Sequence, residues 1–129
     1  MKKKKTFLHG EEGFTLIEVI AVLIILGILA AVAIPRYVDL TANAENRAID
    51  AGIAELNGRE ALTWANIKIS TAGWASDAAT FAALITDLGA DYTWSAAAAV
   101  TGGTLDFGSQ AVALTRTAST NTAPARWSR

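Results

Sequence analysis

The feature that most constrains this chain is a near-continuous apolar run from Phe14 to Ile34, 21 residues long with one carboxylate at Glu18. A helix of about 20 such residues spans the roughly 30 Å hydrocarbon core of a bilayer. Because the run is apolar all round, it must be buried in lipid or among other protein helices. A carboxylate inside such a segment costs on the order of 3 kcal/mol. Glu18 is therefore a candidate functional residue that needs a partner.

The polar stretch before the apolar run sets the predicted orientation. Four lysines, Lys2 to Lys5, precede it, and positive charge next to an apolar segment holds that end in the cytoplasm. No A-x-A cleavage site followed by a polar mature start stands out, as an ordinary secretory signal would require. By physics alone, an uncleaved single-pass anchor is as good an interpretation as a processed one.

The heptapeptide GFTLIEV at residues 13–19 carries a specific resemblance. Together with the lysine-rich leader and a helix that ends in Ala33-Ile34-Pro35, it resembles the type III signal of type IV pilins and pseudopilins, over roughly residues 1–40. The resemblance implies that a prepilin peptidase cuts between Gly13 and Phe14 on the cytoplasmic side. It further implies that the new amino-terminal Phe14 is N-methylated. It implies finally that Glu18 meets the positive amino terminus of an adjacent subunit.

The pairing of Glu18 also has a physical rationale. Two opposite charges about 4 Å apart at an effective dielectric near 20 attract by on the order of 4 kcal/mol, and desolvation offsets part of this. Such a pair would fix the axial register between subunits, as a buried polar residue does in a coiled coil. The alternative is that Glu18 lies near the lipid headgroups.

Gly27 and Pro35 interrupt the regularity of the apolar helix. Glycine costs about 1 kcal/mol in a helix interior relative to alanine, and proline removes a backbone donor and clashes with the preceding turn. A helix kink is therefore predicted at these positions. The resemblance implies that residues 27–35 lose helical hydrogen bonds when the subunit packs into a filament. An ordinary kinked membrane helix is the alternative.

The second half of the chain has the pattern of a small α+β domain. From Arg36, apolar residues recur at helical spacing, which predicts an amphipathic continuation of the helix to about Ile67. Asp77 starts a short predicted helix, which Gly89 is expected to stop. Its apolar stripe consists of Phe81, Leu84, Ile85 and Leu88.

Short strands and glycine turns follow this helix. The predicted strands are Tyr92–Trp94, Ala97–Thr101, Thr104–Phe107 and Gln110–Thr117, with turns at 101–104 and 108–109. These elements predict an antiparallel sheet of three or four strands packed on the long helix. The polar tail from Ala118 is expected to be partly disordered unless Trp127 anchors it. The predicted organisation is a leader (1–13), a transmembrane and filament-core half (14–35), an amphipathic half (36–69) and a globular domain (70–129).

Residues that could carry catalysis or bind a metal are few. The chain has no cysteine, and its single histidine, His9, lies in the leader. Four aspartates could offer oxygen ligands to Ca²⁺, but their spacing matches no EF-hand loop. They are Asp77, Asp87, Asp91 and Asp106. We therefore predict no enzyme activity, no cofactor and no metal site. The four tryptophans are scattered singly and are expected to be core or subunit-contact residues.

The predicted function is that of a structural subunit of a helical filament. The resemblance implies a single-pass precursor in the inner membrane, later an extracellular pilus or a periplasmic pseudopilus. It implies as partners other copies of the chain, the bilayer, a prepilin peptidase, and an inner-membrane assembly platform with its ATPase. Two alternatives stay open: a pseudopilin of a type II secretion system, and a minor pilin or tethered domain that binds DNA or a surface ligand. Removal of residues 1–13 leaves seven lysines and arginines against ten aspartates and glutamates, a net charge of −3. This mildly acidic balance argues against a dedicated nucleic-acid binder, which usually has a clustered basic face.

Overall fold

The computed structural model describes residues 13–129, so the predicted leader apart from Gly13 lies outside the described residues. This part of the chain contains two helices and four strands. They are α1 (Leu16–Ile69), α2 (Asp77–Ala83), β1 (Tyr92–Ala99), β2 (Gly102–Phe107), β3 (Gln110–Thr117) and β4 (Arg126–Ser128). A long apolar helix followed by a small antiparallel sheet confirms the predicted α+β class.

The chain divides into two compact units, one that ends at Val38 and one that runs from Asp39 to Arg129. In the first unit, α1 has no buried residue, and every residue from Gly13 to Val38 is exposed. A helix satisfies the backbone hydrogen bonds of such an apolar segment internally, which lipid or a dry protein interface requires. The predicted boundaries at residues 35 and 69 stay predictions.

The second unit has its own hydrophobic core. Its portion of α1 buries four residues at intervals of three and four, which is the period of one helix face. They are Ile49, Gly52, Leu56 and Glu60. Leu56 meets buried side chains of the sheet and of the segment after α2 in one cluster, completed by Leu84, Leu105, Leu114 and Trp127. The sheet thus packs on α1 as predicted, and α1 ends at Ile69, close to the predicted Ile67.

The sheet is an antiparallel meander in the order β1-β2-β3-β4. Leu105 of β2 lies opposite Trp94 of β1 and Val112 of β3, so these three side chains share the face that covers α1. The β3–β4 pair is short, with Arg116 opposite Trp127. The indole of Trp127 is only 1% exposed, which confirms that this residue anchors the carboxy-terminal tail.

The helix predicted up to Leu88 is too long. α2 ends at Ala83, and Leu84 is already extended, with a ψ angle of 133°. The reason is packing: Leu84 is buried in the core and Leu88 packs against it, and the extended chain carries both residues to the sheet. The spacing of the stripe matched a helix by coincidence.

Two details of the predicted hairpins are also wrong. Tyr92–Ala99 is one strand with register irregularities near Ala96 rather than two short strands. The first turn lies at residues 100–101, and Gly102 already belongs to β2. Gly102 has a φ angle of +140°, and a Cβ there would lie 2.1 Å from the carbonyl oxygen of Leu114. Glycine is therefore needed at position 102, because β2 and β3 approach each other closely there. The predicted turn at Gly108-Ser109 is confirmed.

Candidate functional site

The amino-terminal end of α1 is built around Thr15. Residues 13–15 lie outside the helix, and the first helical backbone bond runs from the Val19 N–H to the Thr15 carbonyl, at 3.2 Å. The Thr15 N–H donates to Glu18 Oε2 at 2.7 Å, and the Glu18 N–H donates to Thr15 Oγ1 at 3.3 Å. Thr15 is thus the N-cap residue, and Glu18 returns the hydrogen bond from the third helical position.

The carboxylate of Glu18 lies on an exposed apolar surface. It borders a shallow groove together with Phe14, Val19, Val22 and Leu23. The side chain of Phe14 beside it is 87% exposed. A carboxylate in such surroundings can accept a hydrogen bond from its own chain and can attract a cation that approaches along the apolar surface.

The apolar surface itself continues along the first half of α1. Its large apolar side chains between Leu16 and Ile34 are 44% to 79% exposed. α1 is the one helix within residues 13–129 that is long and apolar enough to cross a membrane. The apolar part of α1 is not buried by the chain's own fold. This surface therefore requires lipid or other protein chains around it.

Gly27 and Pro35 both lie inside α1. The helix continues through Pro35, although proline cannot donate to the carbonyl of Ala31 one turn earlier. A Cβ at Gly27 would meet nothing within 4 Å, so packing within the chain does not require glycine there. The kink at Gly27 and Pro35 stays a prediction.

A buried charged cluster in the second unit was not predicted. The Arg116 side chain is fully buried, with its Nε 2.5 Å from Glu60 Oε1 and its Nη1 2.9 Å from Asp77 Oδ2. Glu60 also accepts from the indole N–H of Trp127 at 3.0 Å. Asp77 accepts from the Ser119 N–H and hydroxyl at 2.6 Å and 2.8 Å. The cluster therefore links α1, α2, β3, β4 and the loop at Ser119.

Hydrogen bonds stabilise the charged forms of Asp77 and Arg116 in this cluster. Burial favours the neutral form of Asp77, but hydrogen bonds from Arg116 and Ser119 outweigh it and lower the pKa of this carboxyl below its usual value. Burial likewise opposes the charge of Arg116, yet the hydrogen bonds to Glu60 and Asp77 raise its pKa. No buried side-chain nitrogen or oxygen among residues 13–129 lacks a hydrogen-bond partner. This arrangement is one that stabilises a fold.

The four candidate calcium ligands do not come together. Asp77 is bound by Arg116, Asp87 Oδ1 accepts from the Gly89 N–H, and Asp106 Oδ1 accepts from the Ser95 hydroxyl. Asp91 is exposed. Within the described part of the chain, no group of three or more histidine, cysteine, aspartate or glutamate side chains is placed to hold a metal.

The tryptophans are structural residues of the second unit. Trp94 and Trp127 pack together with ring centroids 5.7 Å apart, as expected for core residues. The indoles of Trp64 and Trp74 instead donate to the Thr120 carbonyl and the Ser119 hydroxyl. They hold the loop between β3 and β4.

Thr15 was not identified from the sequence as a helix cap. Glu60 and Arg116 were also not identified from the sequence as a buried ion pair. The pattern Thr-x-x-Glu before an apolar run is readable as a capping box and could have identified Thr15. Glu60 is a lone charge on the apolar face of α1, and its partner Arg116 lies 56 residues away. No local signal joins these two residues.

Comparison with known proteins finds similarity in the amino-terminal region. The model of the prokaryotic N-terminal methylation motif matches residues 8–34. The type IV narrow pilus major component PilA5 of Thermus thermophilus is 44% identical over 57 residues, covering 44% of this chain and 49% of that protein. The type IV major pilin protein PilE1 of Neisseria gonorrhoeae is 60% identical over 35 residues, covering 27% of this chain and 21% of that protein.

The similarity is confined to part of each protein. A fimbrial protein of Pseudomonas aeruginosa is 53% identical over 38 residues, covering 30% of this chain and 25% of that protein. The chain thus spans about half, or less, of the length of the curated relatives it matches. No solved structure matches the chain significantly. By the motif and the helix that contain Gly13, Phe14 and Glu18, the amino-terminal part of the chain is similar to that of type IV pilins.

Proposed function

We propose that this chain is a structural subunit of a type IV pilus-like filament that assembles through the first half of α1. The observation that carries this proposal is the exposed apolar surface between Leu16 and Ile34, which the rest of the chain leaves uncovered. Similarity to type IV pilins supports it, because the relatives PilA5 and PilE1 are named as a major pilus component and a major pilin.

The apolar surface explains why the subunit needs two successive environments. Exposing apolar area to water costs about 25 cal/mol per Å², so the helix is stable in lipid or packed against the helices of other subunits. In the precursor the inner membrane supplies this cover, with the leader on the cytoplasmic side. In the filament, neighbouring copies of the same helix replace the lipid. Repeated head-to-tail contacts that do not close then generate an open helical polymer.

Glu18 is the residue to which we assign subunit registration. After a prepilin peptidase removes residues 1–13 and Phe14 is methylated, the amino group of Phe14 is a cation at the end of an apolar helix. Its pairing with Glu18 of a neighbour would offset the cost of both charges in an apolar environment. The assembly platform and ATPase of the inner membrane are the proposed machinery for moving the subunit from lipid to filament. In this role the chain is structural and performs no catalysis.

The assembly role of Glu18 is tested by Glu18→Gln in cells that express the full chain. We expect the variant to accumulate in the inner membrane but to be depleted at least about tenfold from sheared filaments, since a lost charge pair worth 1.4 kcal/mol changes an equilibrium tenfold. The matched control is Glu55→Gln, because Glu55 is an exposed carboxylate of the same helix that pairs with Arg59 at 2.8 Å. Filaments that contain Glu18→Gln at the level of Glu55→Gln would contradict the role of Glu18.

A further inference from the structure

Resting on the proposed function, we infer that Thr15 is a positioning residue for the processing step. It ends α1 immediately after the Gly13–Phe14 peptide bond and so presents that bond to the peptidase in a non-helical form. In the cut, water adds across the bond, which leaves a carboxylate on Gly13 and an amine on Phe14. The chemistry belongs to the peptidase, and the contribution of this chain is the conformation of its substrate bond.

The first observation behind this inference is the pair of reciprocal hydrogen bonds. Thr15 Oγ1 accepts from the Glu18 N–H at 3.3 Å, and Glu18 Oε2 accepts from the Thr15 N–H at 2.7 Å. Together they satisfy two backbone donors that a helix otherwise leaves without partners at its amino-terminal end. Such a capping box makes Thr15 a stop signal for the helix.

The second observation is the state of the residues that flank the bond. Gly13, Phe14 and Thr15 have no helical assignment, and all three are exposed. The Phe14 side chain is 87% exposed and lies outside any core. A peptide bond within a helix must first be opened, at a free-energy cost, before it can enter a protease active site. Here the cap has already taken the bond out of the helix.

Loss of the Thr15 cap would allow α1 to extend toward the cleavage site. Replacement of a threonine cap by alanine removes the side-chain acceptor and favours helix at that position. Without the stop, α1 is free to extend through Phe14. Loss of the Thr15 cap lowers the ratio of non-helical to helical forms of this segment by about fivefold. Because this affects the population that binds the peptidase rather than the bond-breaking step, it raises KM and leaves kcat unchanged.

The inference is tested by competition between full-length variants in detergent micelles with a purified prepilin peptidase. Wild type and each variant are mixed in one reaction, and mass spectrometry follows the loss of residues 1–13 from each. We expect kcat/KM to fall by up to about fivefold in Thr15→Ala. Thr15→Ser keeps the side-chain acceptor and should be cleaved like wild type.

Glu18 variants separate the cap from the charge. Glutamine also closes a capping box, so Glu18→Gln should be cleaved like wild type, and Glu18→Ala should be slower. As a direct readout, carbon chemical shifts of Phe14 in micelles should become helical in Thr15→Ala and not in Thr15→Ser. This measurement does not depend on the peptidase.

The outcomes distinguish this inference from the proposed function. Equal cleavage of Thr15→Ala and Thr15→Ser, or slow cleavage of Glu18→Gln, would overturn the positioning role while leaving the processing site intact. Wild-type protein that is not cut between Gly13 and Phe14 would overturn the proposed function itself, and the positioning role with it.

Discussion

At the scale of single residues, Arg116 has the largest predicted effect on stability. Its guanidinium is fully buried and forms a bidentate pair with Glu60, at 2.5 Å and 3.2 Å. It also donates to Asp77 and to the carbonyl of Val100. Removing one partner of a buried pair leaves an uncompensated charge, which is far more costly than losing an exposed pair.

We therefore predict that Arg116→Met lowers the free energy of unfolding of the second unit by about 3–5 kcal/mol. Urea denaturation followed by tryptophan fluorescence measures this change. The control is Arg47→Ala, because Arg47 is 86% exposed and lies 3.9 Å from Asp50. That change should stay within about 1 kcal/mol. Equal losses in the two variants would show that the Arg116 cluster does not stabilise the fold.

Asp77 makes the stability of the second unit depend on pH in the acidic range. Its pKa in the folded chain lies below the ordinary value of 3.8, so the unfolded chain binds a proton more readily than the folded chain does. The stabilisation from Asp77 is thus complete at pH values well above 3.8 and is lost as the pH falls below 3.8 toward the lower pKa of the folded chain. Urea midpoints measured from pH 6 downward should fall less steeply in Asp77→Asn than in wild type. The exposed Asp91→Asn should retain the wild-type slope, and an equally steep Asp77→Asn curve would contradict the assignment.

At the scale of elements, two glycines of α1 have opposite surroundings. A Cβ at Gly52 would lie 2.9 Å from Tyr92 Cε1 and 3.2 Å from Leu105 Cδ2. Tyr92 cannot move aside freely, because its hydroxyl donates to the Ala48 carbonyl and its ring packs on Phe107. A Cβ at Gly58 would meet nothing within 4 Å.

The same substitution should therefore change stability in opposite directions. Alanine gains about 1 kcal/mol over glycine in a helix interior, and at exposed Gly58 nothing opposes this gain. At Gly52, overpacking costs about 1–3 kcal/mol, so Gly52→Ala should be destabilising by about 1 kcal/mol. Thermal and urea unfolding of the two variants test this prediction. Stabilisation by Gly52→Ala would show that Tyr92 yields at little cost.

The elements also show what periodicity can and cannot predict. The extent of α1 and the strand β3 follow from local spacing, because a helix face and an alternating strand leave direct signatures. The spacing of Leu84 and Leu88 predicts a helix, but their packing in the core requires an extended chain. β4 has three residues, too few to show any period.

The functional and structural residues likewise differ in how far the sequence predicts them. Gly13, Phe14 and Glu18 lie in one contiguous motif, so their sequence was sufficient to predict a processing and assembly site. Glu60 and Arg116 meet only because α1 and β3 pack together. A single charge on the apolar face of a helix does not indicate which distant residue it pairs with. The assignments of cleavage, methylation and assembly to the motif remain predictions about the chain in cells.

At the scale of the whole molecule, the division near Val38 predicts independent folding of the second unit. This unit contains the core of Leu56, Leu84, Leu105, Leu114 and Trp127 as well as the buried charged cluster. A chain that begins at Asp39 should be a soluble monomer with a cooperative unfolding transition, because it lacks the exposed apolar surface. Circular dichroism and sedimentation measure both properties. A non-cooperative or aggregated product would show that the second unit needs the first.

The fate of the first unit in cells decides whether this chain is a filament subunit or a membrane anchor. The most direct measurement is the intact mass and amino-terminal sequence of the protein in filaments sheared from the cell surface. We expect an abundant chain that begins at N-methylated Phe14 and lacks residues 1–13. A chain that retains Lys2 to Lys5 would contradict this expectation and would make α1 an uncleaved membrane anchor.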